Sequence, residues 1–373
     1  MAHLTFLDAV ARVPALLLGG RFDFDFDDLP LHARGLSARK RLNLMRCALG
    51  PRFALPPMVQ IEPTNACNLQ CPLCPTGSGM KPRPTGHMAW DTFQTILDEL
   101  GDTLVGAVLY SWGEPFLHPR MTDMVAACTA RNIATVTSTN GHFLQTPEEA
   151  EAIVDAGLGA LVIAIDGSDQ DTYESFRRSG NIHKVIRCAT LVEEAKAHRG
   201  SPVPYTALRT VVTEANRADL GNIERVARET GVNMFSYKSV CRQFEAGALE
   251  AFEPSDPDLA RYRYDESGQR QAVPFRCRYP FRQPTIFWDG AVVGCEYDYE
   301  LETPWGRIGE QPFPAIWRNA QADALRRAIH SGKGRPARNT PAFSMLATGD
   351  FLRSQSERKL SNESSLRPIR SRR

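Results

Sequence analysis

The chain has 373 residues, 42% apolar and 23% charged, the composition of a folded globular protein with room for one large domain and a smaller one. Its 44 Lys and Arg against 43 Asp and Glu leave a net charge of +1, which excludes a chain-wide field for holding nucleic acid or an anionic membrane. Nine cysteines, an odd and unevenly spaced set, argue against a disulfide framework and for reduced thiols or metal ligands.

Residues 1–57 read as a helical lead-in. The apolar stretch "AVARVPALLLGG" is too short to span a bilayer and lacks the basic start of a secretory signal, so no transmembrane segment and a cytoplasmic location are expected. The following "ARGLSARKRLNLMRCALG" is a basic amphipathic pattern, either packed on the main domain with its charges in water or docked on anionic lipid or a partner. Cys47, alone within it, reads as a small buried apolar residue.

A rhythm of β-branched runs and helical patterns occupies residues 58–245. Strands are expected at "MVQIEPT", "GAVLYSW", "ATVTSTN", "ALVIAID", "YTALRTVVT" and "NMFSYKSV", with helices at about 89–101, 118–131, 146–157, 182–198 and 216–231. Thr146 followed by Pro147 marks the start of the third helix. Such repeated βα units predict an α/β fold with a parallel sheet and right-handed crossovers, whose chemistry gathers at the carboxyl ends of the strands.

Beyond residue 250 "AFEPSDPDLARYRYDESGQRQ" reads as a polar linker. A small α+β extension is expected over residues 270–332: "PTIFWDGAVVGCEYD" is two apolar runs joined by Asp289-Gly290, a dipeptide suited to a type I′ turn, and a helix follows at about 313–331. Residues 333–373 lack periodicity, are rich in Arg and Ser and read as a disordered basic tail, a change of character that a truncated or frame-shifted relative would also produce.

Cys67, Cys71 and Cys74, in "PTNACNLQCPLCPTG" directly after the first of the βα strands, can converge on one metal centre from a single loop. A structural zinc site wants a fourth ligand at matching spacing, and a ferredoxin-type run also supplies four thiolates. Three thiolates leave one iron of a four-iron cube open to a small molecule.

With "SWGEP", "STNG" and "AIDG" ending successive strands, residues 58–240 resemble the radical S-adenosylmethionine superfamily. The resemblance implies a partial (β/α)6 barrel holding a [4Fe-4S] cluster on Cys67, Cys71 and Cys74, with S-adenosylmethionine on the fourth iron. One electron from the cluster would cleave the sulfonium, and the 5′-deoxyadenosyl radical would abstract hydrogen from substrate. Gly113 and Glu114 match the positions that receive the cofactor ammonium, although Glu114 would serve equally to cap a helix. Asn140 would bond the ribose or fix its turn. Asp166 ends the fourth strand, and Arg177 resembles the arginine that pairs with the cofactor carboxylate, with a surface arginine as the plain alternative. Ala164 replaces a ribose-binding serine of many relatives, and Leu73 replaces an aromatic residue.

Cys277, Gly290 and Cys295 match the opening of the SPASM extension, which binds auxiliary iron-sulfur clusters, but no cysteine follows Cys295. Two thiolates make either a decayed structural site or an incomplete auxiliary cluster site. Cys128, Cys188 and Cys241 read as buried core thiols. The expected activity is an oxidoreductase or modifying enzyme acting on an unidentified peptide or sugar-like metabolite, fed by a one-electron reductant such as flavodoxin or ferredoxin. Its rivals are a non-catalytic iron-sulfur carrier or sensor and a zinc module using the three cysteines with His87.

Overall fold

Strand-forming and helix-forming runs alternate through residues 20–79, 83–240, 251–260 and 277–330, which the computed structural model describes. In chain order they are β1 Phe22–Phe26, β2 Leu29–Ala33, α1 Ala38–Cys47, β3 Met58–Ile61, α2 Trp90–Leu100, β4 Gly106–Val108, α3 Met121–Ala130, β5 Ala134–Thr139, α4 Pro147–Asp155 and β6 Ala160–Ala164. Then come α5 Gln170–Phe176, α6 Ile182–Arg199, β7 Tyr205–Val212, α7 Leu220–Thr230, β8 Met234–Ser239, α8 Tyr279–Arg282, β9 Thr285–Ile286, β10 Ala291–Val293, β11 Gly306–Arg307, α9 Phe313–Trp317 and α10 Ala320–His330. All six strands of the repeating region form where the alternation predicts them. The helices do too: Thr146 and Glu149 close a capping box at the start of α4, and the Asn181 side chain accepts from two backbone N–H groups of α6.

Strands β3 to β8 lie side by side in chain order, all parallel, as the six-stranded partial barrel. Because successive strand residues face opposite ways, two apolar layers result. Leu161 and Ile163 of β6 point outward into the helices with Phe93, Met124 and Val192. Ala160 and Val162 point inward, with Val108, Val136 and Ala207, onto a second cluster.

What fills that inner cluster corrects the helical reading over residues 22–33. Residues 22–33 are a β-hairpin, and its Phe24, Leu29 and Leu31 pack inside the barrel. The alternation of "FDFDF" puts one set of side chains on each face, and the two-residue turn at Asp27 and Asp28 holds both in the left-handed region, φ 54° and 66°. Helix α1 does pack on the main domain. Its buried Lys40 donates to the carbonyls of Arg131 and Asn132, and Asn43 to that of Leu55. The same segment presents Leu42, Met45, Leu49 and Phe53 to solvent.

The C-terminal extension does not stand apart: β9 pairs in parallel with β3, and β10 and β11 continue the same sheet antiparallel. Arg83 ties the two together. It forms a buried pair with Glu62 at 3.2 Å, and its guanidinium lies 3.9 Å from the Phe287 ring centre and 4.4 Å from that of Tyr299. The turn between β9 and β10 is not type I′, since only Gly290, φ 86°, is left-handed while Asp289 is not; its N–H bonds the Phe287 carbonyl. The helix expected over 313–331 is broken into α9 and α10, because Asn319 turns its side chain to cap the second. Helix α5 was not foreseen. Residues 1–19 of the lead-in, Cys241, residues 261–271 of the expected linker and everything beyond residue 330, the expected tail included, lie outside the described residues.

Candidate active site

Loops at the carboxyl ends of β3 to β8 enclose a cavity of about 400 Å³, and Cys67, Cys71 and Cys74 all line it. Their loop is held by its own polar residues. Thr64 donates its hydroxyl to the Gly86 carbonyl and accepts from Ala66 N–H, while Asn65 bonds Pro84 and Gly86. Burial pushes the Cys67 thiol up to about 12 and raises that of Cys74. The bare Cys67 and Cys74 thiols stay protonated, and a metal centre that replaces the protons is what such a donor set accepts. Among the described residues no three His, Cys, Asp or Glu side chains are placed to share a single metal ion, and the His87 ring stands edge-on to His118. Three cysteine sulfurs on one wall are a donor set that a multi-iron cluster takes.

The loop after β4 is stitched onto the cysteine loop by a bond from Glu114 N–H to the Ala66 carbonyl. Gly113 has to be glycine, because a Cβ there would overlap the Thr64 carbonyl oxygen and lie 2.8 Å from that of Ala66. Glu114 is 2% exposed and accepts from Thr139 Oγ1 at 2.8 Å, Asn140 N–H at 2.7 Å and Phe116 N–H at 3.2 Å. It therefore caps the short 3₁₀ turn Pro115–Leu117 while lining the cavity. Burial raises its carboxyl to about 7 against these three donors. Asn140 does fix its turn, accepting from His142 N–H, and its amide also reaches Asn68 Oδ1 at 2.7 Å.

Asp166 is fully buried and does not line the cavity; it sits behind Arg177 and pairs with it. Its other oxygen accepts from Val211 N–H at 2.5 Å. Arg177 directly follows α5 and is no surface arginine, with a side chain 18% exposed that lines the cavity and holds Nη1 3.7 Å from Cys71 Sγ. Around the cysteines the wall is apolar, with Leu73, Val211 and Val240 in one cluster and Phe176 nearby. Ala164 also lines it.

The far end of the cavity is polar, and sequence reasoning did not find it. Asp27, at the tip of the hairpin, pairs with Arg209 of β7 and Lys238 of β8. Gln60 of β3 donates to Glu296 Oε2 at 2.6 Å, and Ser111 lies 3.5 Å from the same oxygen. Glu296 directly follows Cys295, a neighbourhood already marked by the cysteine, but Asp27 carries no local signal. Cys277 and Cys295 are buried outside the cavity wall, and burial pushes Cys277 up to about 12.

Comparison with known proteins agrees with this geometry. Residues 61–225 match the family described as the radical SAM superfamily, and residues 277–339 match an iron-sulfur cluster-binding domain, SPASM. The chain is 22% identical to the AdoMet-dependent heme synthase of Methanosarcina barkeri, over 80% of this chain and 94% of that protein. It is 28% identical to the mycofactocin maturase MftC of Mycobacterium tuberculosis, over 46% of this chain and 42% of the other. In fold it is similar to Streptococcus suis SuiB bound to S-adenosylmethionine, with a TM-score of 0.58 at 14% identity over 83% of this chain and 74% of that one. Among the described residues no helix is long and apolar enough to cross a membrane.

Proposed function

Since the chain belongs to the radical S-adenosylmethionine superfamily and carries a SPASM-type extension, we propose that it is an enzyme of reductive S-adenosylmethionine cleavage. Its cofactors are a [4Fe-4S] cluster and S-adenosylmethionine. When bound, they supply a 5′-deoxyadenosyl radical that takes a hydrogen atom from a peptide or sugar-like metabolite. One observation supports the reading: Cys71, which is buried, and the half-buried Cys67 and Cys74 share one cavity wall with Glu114 and Arg177.

Cys67, Cys71 and Cys74 would hold the cluster. Glu114, oriented by Thr139 and Asn140, would accept the cofactor ammonium beside the Gly113 backbone, a charge-assisted contact in a dry site. Arg177 would offer its guanidinium to the cofactor carboxylate. Asp166 keeps it in place from behind and is a positioning residue. Asn140 would border the ribose through the backbone of its turn. Cys277 and Cys295 would supply two ligands to an auxiliary cluster. All eight described cysteines are free, in keeping with a cytoplasmic enzyme served by a flavodoxin or ferredoxin.

Anaerobic reconstitution followed by assay of 5′-deoxyadenosine tests this. The protein should release it when reduced, Cys71→Ala should release none, and Cys277→Ala should keep cleavage without substrate. Iron incorporation with no 5′-deoxyadenosine from the unvaried protein would instead identify a carrier or sensor.

A further inference from the structure

The segment from Ala38 to Pro57 holds five basic residues, Arg39, Lys40, Arg41, Arg46 and Arg52, and no Asp or Glu. Among the described residues the exposed large apolar side chains all fall within it: Leu42, Met45, Leu49, at 67% exposure, and Phe53, at 59%. One such residue on a surface needs no explanation, but four in one short stretch do. They are not scattered around α1. Leu42, Met45 and Leu49 follow at the i, i+3, i+7 spacing of one helical face, with Leu49 in the turn that closes α1, its N–H on the Arg46 carbonyl. The opposite face is spent on packing, through buried Lys40 and Asn43. Helical spacing sets Arg46 on one flank of the apolar stripe and Arg41 on the other.

This face lies at the amino end of the barrel. Lys40 reaches the carbonyls of Arg131 and Asn132 ahead of β5, and Asn43 those of Leu55 and Thr103 ahead of β3 and β4. The cysteine loop opens at the carboxyl end. Six residues of β5 put about 20 Å between the two, at about 3.3 Å per residue. The face is also cationic. Arg46 has no ion pair among the described residues, and the pairs Arg39–Asp102 and Arg52–Asp323 lie at the surface, where water and salt weaken them.

Apolar side chains flanked by arginines match an anionic lipid surface, which offers hydrocarbon and negative charge together. Other occupants match only in part. A second copy would set one cationic face against another. Residues 1–19 of the chain are apolar, but their only charged side chains are Asp8 and Arg12, so they bring no net anion to Arg46. A redox partner here would dock a barrel's height from the cysteines.

We propose that the amino end of the barrel docks peripherally on a membrane bearing anionic lipid, with Leu49 and Phe53 entering the headgroup layer, Arg46 against the anionic headgroups and the cavity mouth turned away. The docking goes beyond the cleavage reading and does not depend on it. The net charge of +1 supplies no chain-wide attraction, so the local patch has to carry the binding.

Flotation of the reconstituted full-length protein with phosphatidylcholine vesicles, alone or with about one-third phosphatidylglycerol, tests the docking. Binding to the anionic vesicles should be at least about tenfold tighter, and should fall in about 0.5 M NaCl. Leu49→Ser combined with Phe53→Ser should weaken it by at least about tenfold. Arg46→Glu should shrink the preference for anionic vesicles, and iron content and unfolding temperature should stay unchanged in every variant. No binding, equal binding to both vesicle types, or undiminished binding by the double variant would each overturn the proposal. So would any result that gives the face to another occupant. A concentration-dependent dimer lost in the double variant would assign it to a second copy, and a fall in that variant's unfolding temperature to residues 1–19. Poly-L-glutamate binding the protein as tightly as the anionic vesicles do would assign it to an acidic protein.

Discussion

Glu114 shows how a single side chain joins fold to chemistry. Its three protein donors fix the carboxylate in place, and burial lifts its titration to about 7, far above an exposed glutamate. A raised carboxyl is neutral below its own midpoint, so its attraction for an ammonium is present above pH 7 and lost as pH falls through it. The affinity for S-adenosylmethionine should accordingly weaken by up to roughly tenfold per pH unit below that point. Equilibrium dialysis of the reconstituted protein between pH 5.5 and pH 8.5 checks this, and Glu114→Gln should bind weakly with a flat profile. The cysteines and Glu114 were legible because each belongs to a short run at a strand end. Asp27 and Glu296 were not, because what distinguishes them is which distant residues they meet in space.

The hairpin is the element that the sequence hid. The period of two in "FDFDF" is present, but it follows an apolar helix-like run, precedes a basic one, and turns on Asp27 and Asp28 without a glycine. Its consequence is large: Leu31, 1% exposed, packs within the barrel beside Ala160 and Val162. Leu31→Ala should cost about 2–5 kcal/mol in urea denaturation, as a cavity in a packed core does. The exposed Leu42→Ala on α1 should change stability by no more than about 0.5 kcal/mol. Asp27→Ala would strand Arg209 and Lys238, and a loss of about 3–5 kcal/mol is expected in the same measurement. If that loss does not appear, the pinning of the hairpin tip to the barrel is wrong.

At the scale of the whole molecule the extension and the barrel share one sheet and one clasp. Glu62 follows β3 just before the cysteine loop, and its partner Arg83 lies against Phe287 and Tyr299. Arg83→Met should cost about 3–5 kcal/mol by leaving a buried carboxylate alone, and adding Glu62→Gln should recover much of it. Thermal unfolding of the three variants measures this; if iron retention after reconstitution falls with stability in Arg83→Met, the clasp also steadies the cysteine loop. The sequence by itself determined the alternating α/β order, the parallel barrel, the three-cysteine loop and the likeness to the radical S-adenosylmethionine superfamily. Each of these rests on local periodicity or on residues a few positions apart, which obey short-range sterics wherever the chain goes. Only the tertiary structure decided that a hairpin at residues 22–33 fills the barrel, that Asp166 stands behind Arg177, and that Asp27, Lys238 and Glu296 line one end of a cavity. Lys238 stands 211 positions from its partner Asp27 and Glu296 stands 236 from its partner Gln60, and pairing at such range leaves no pattern in the linear chain.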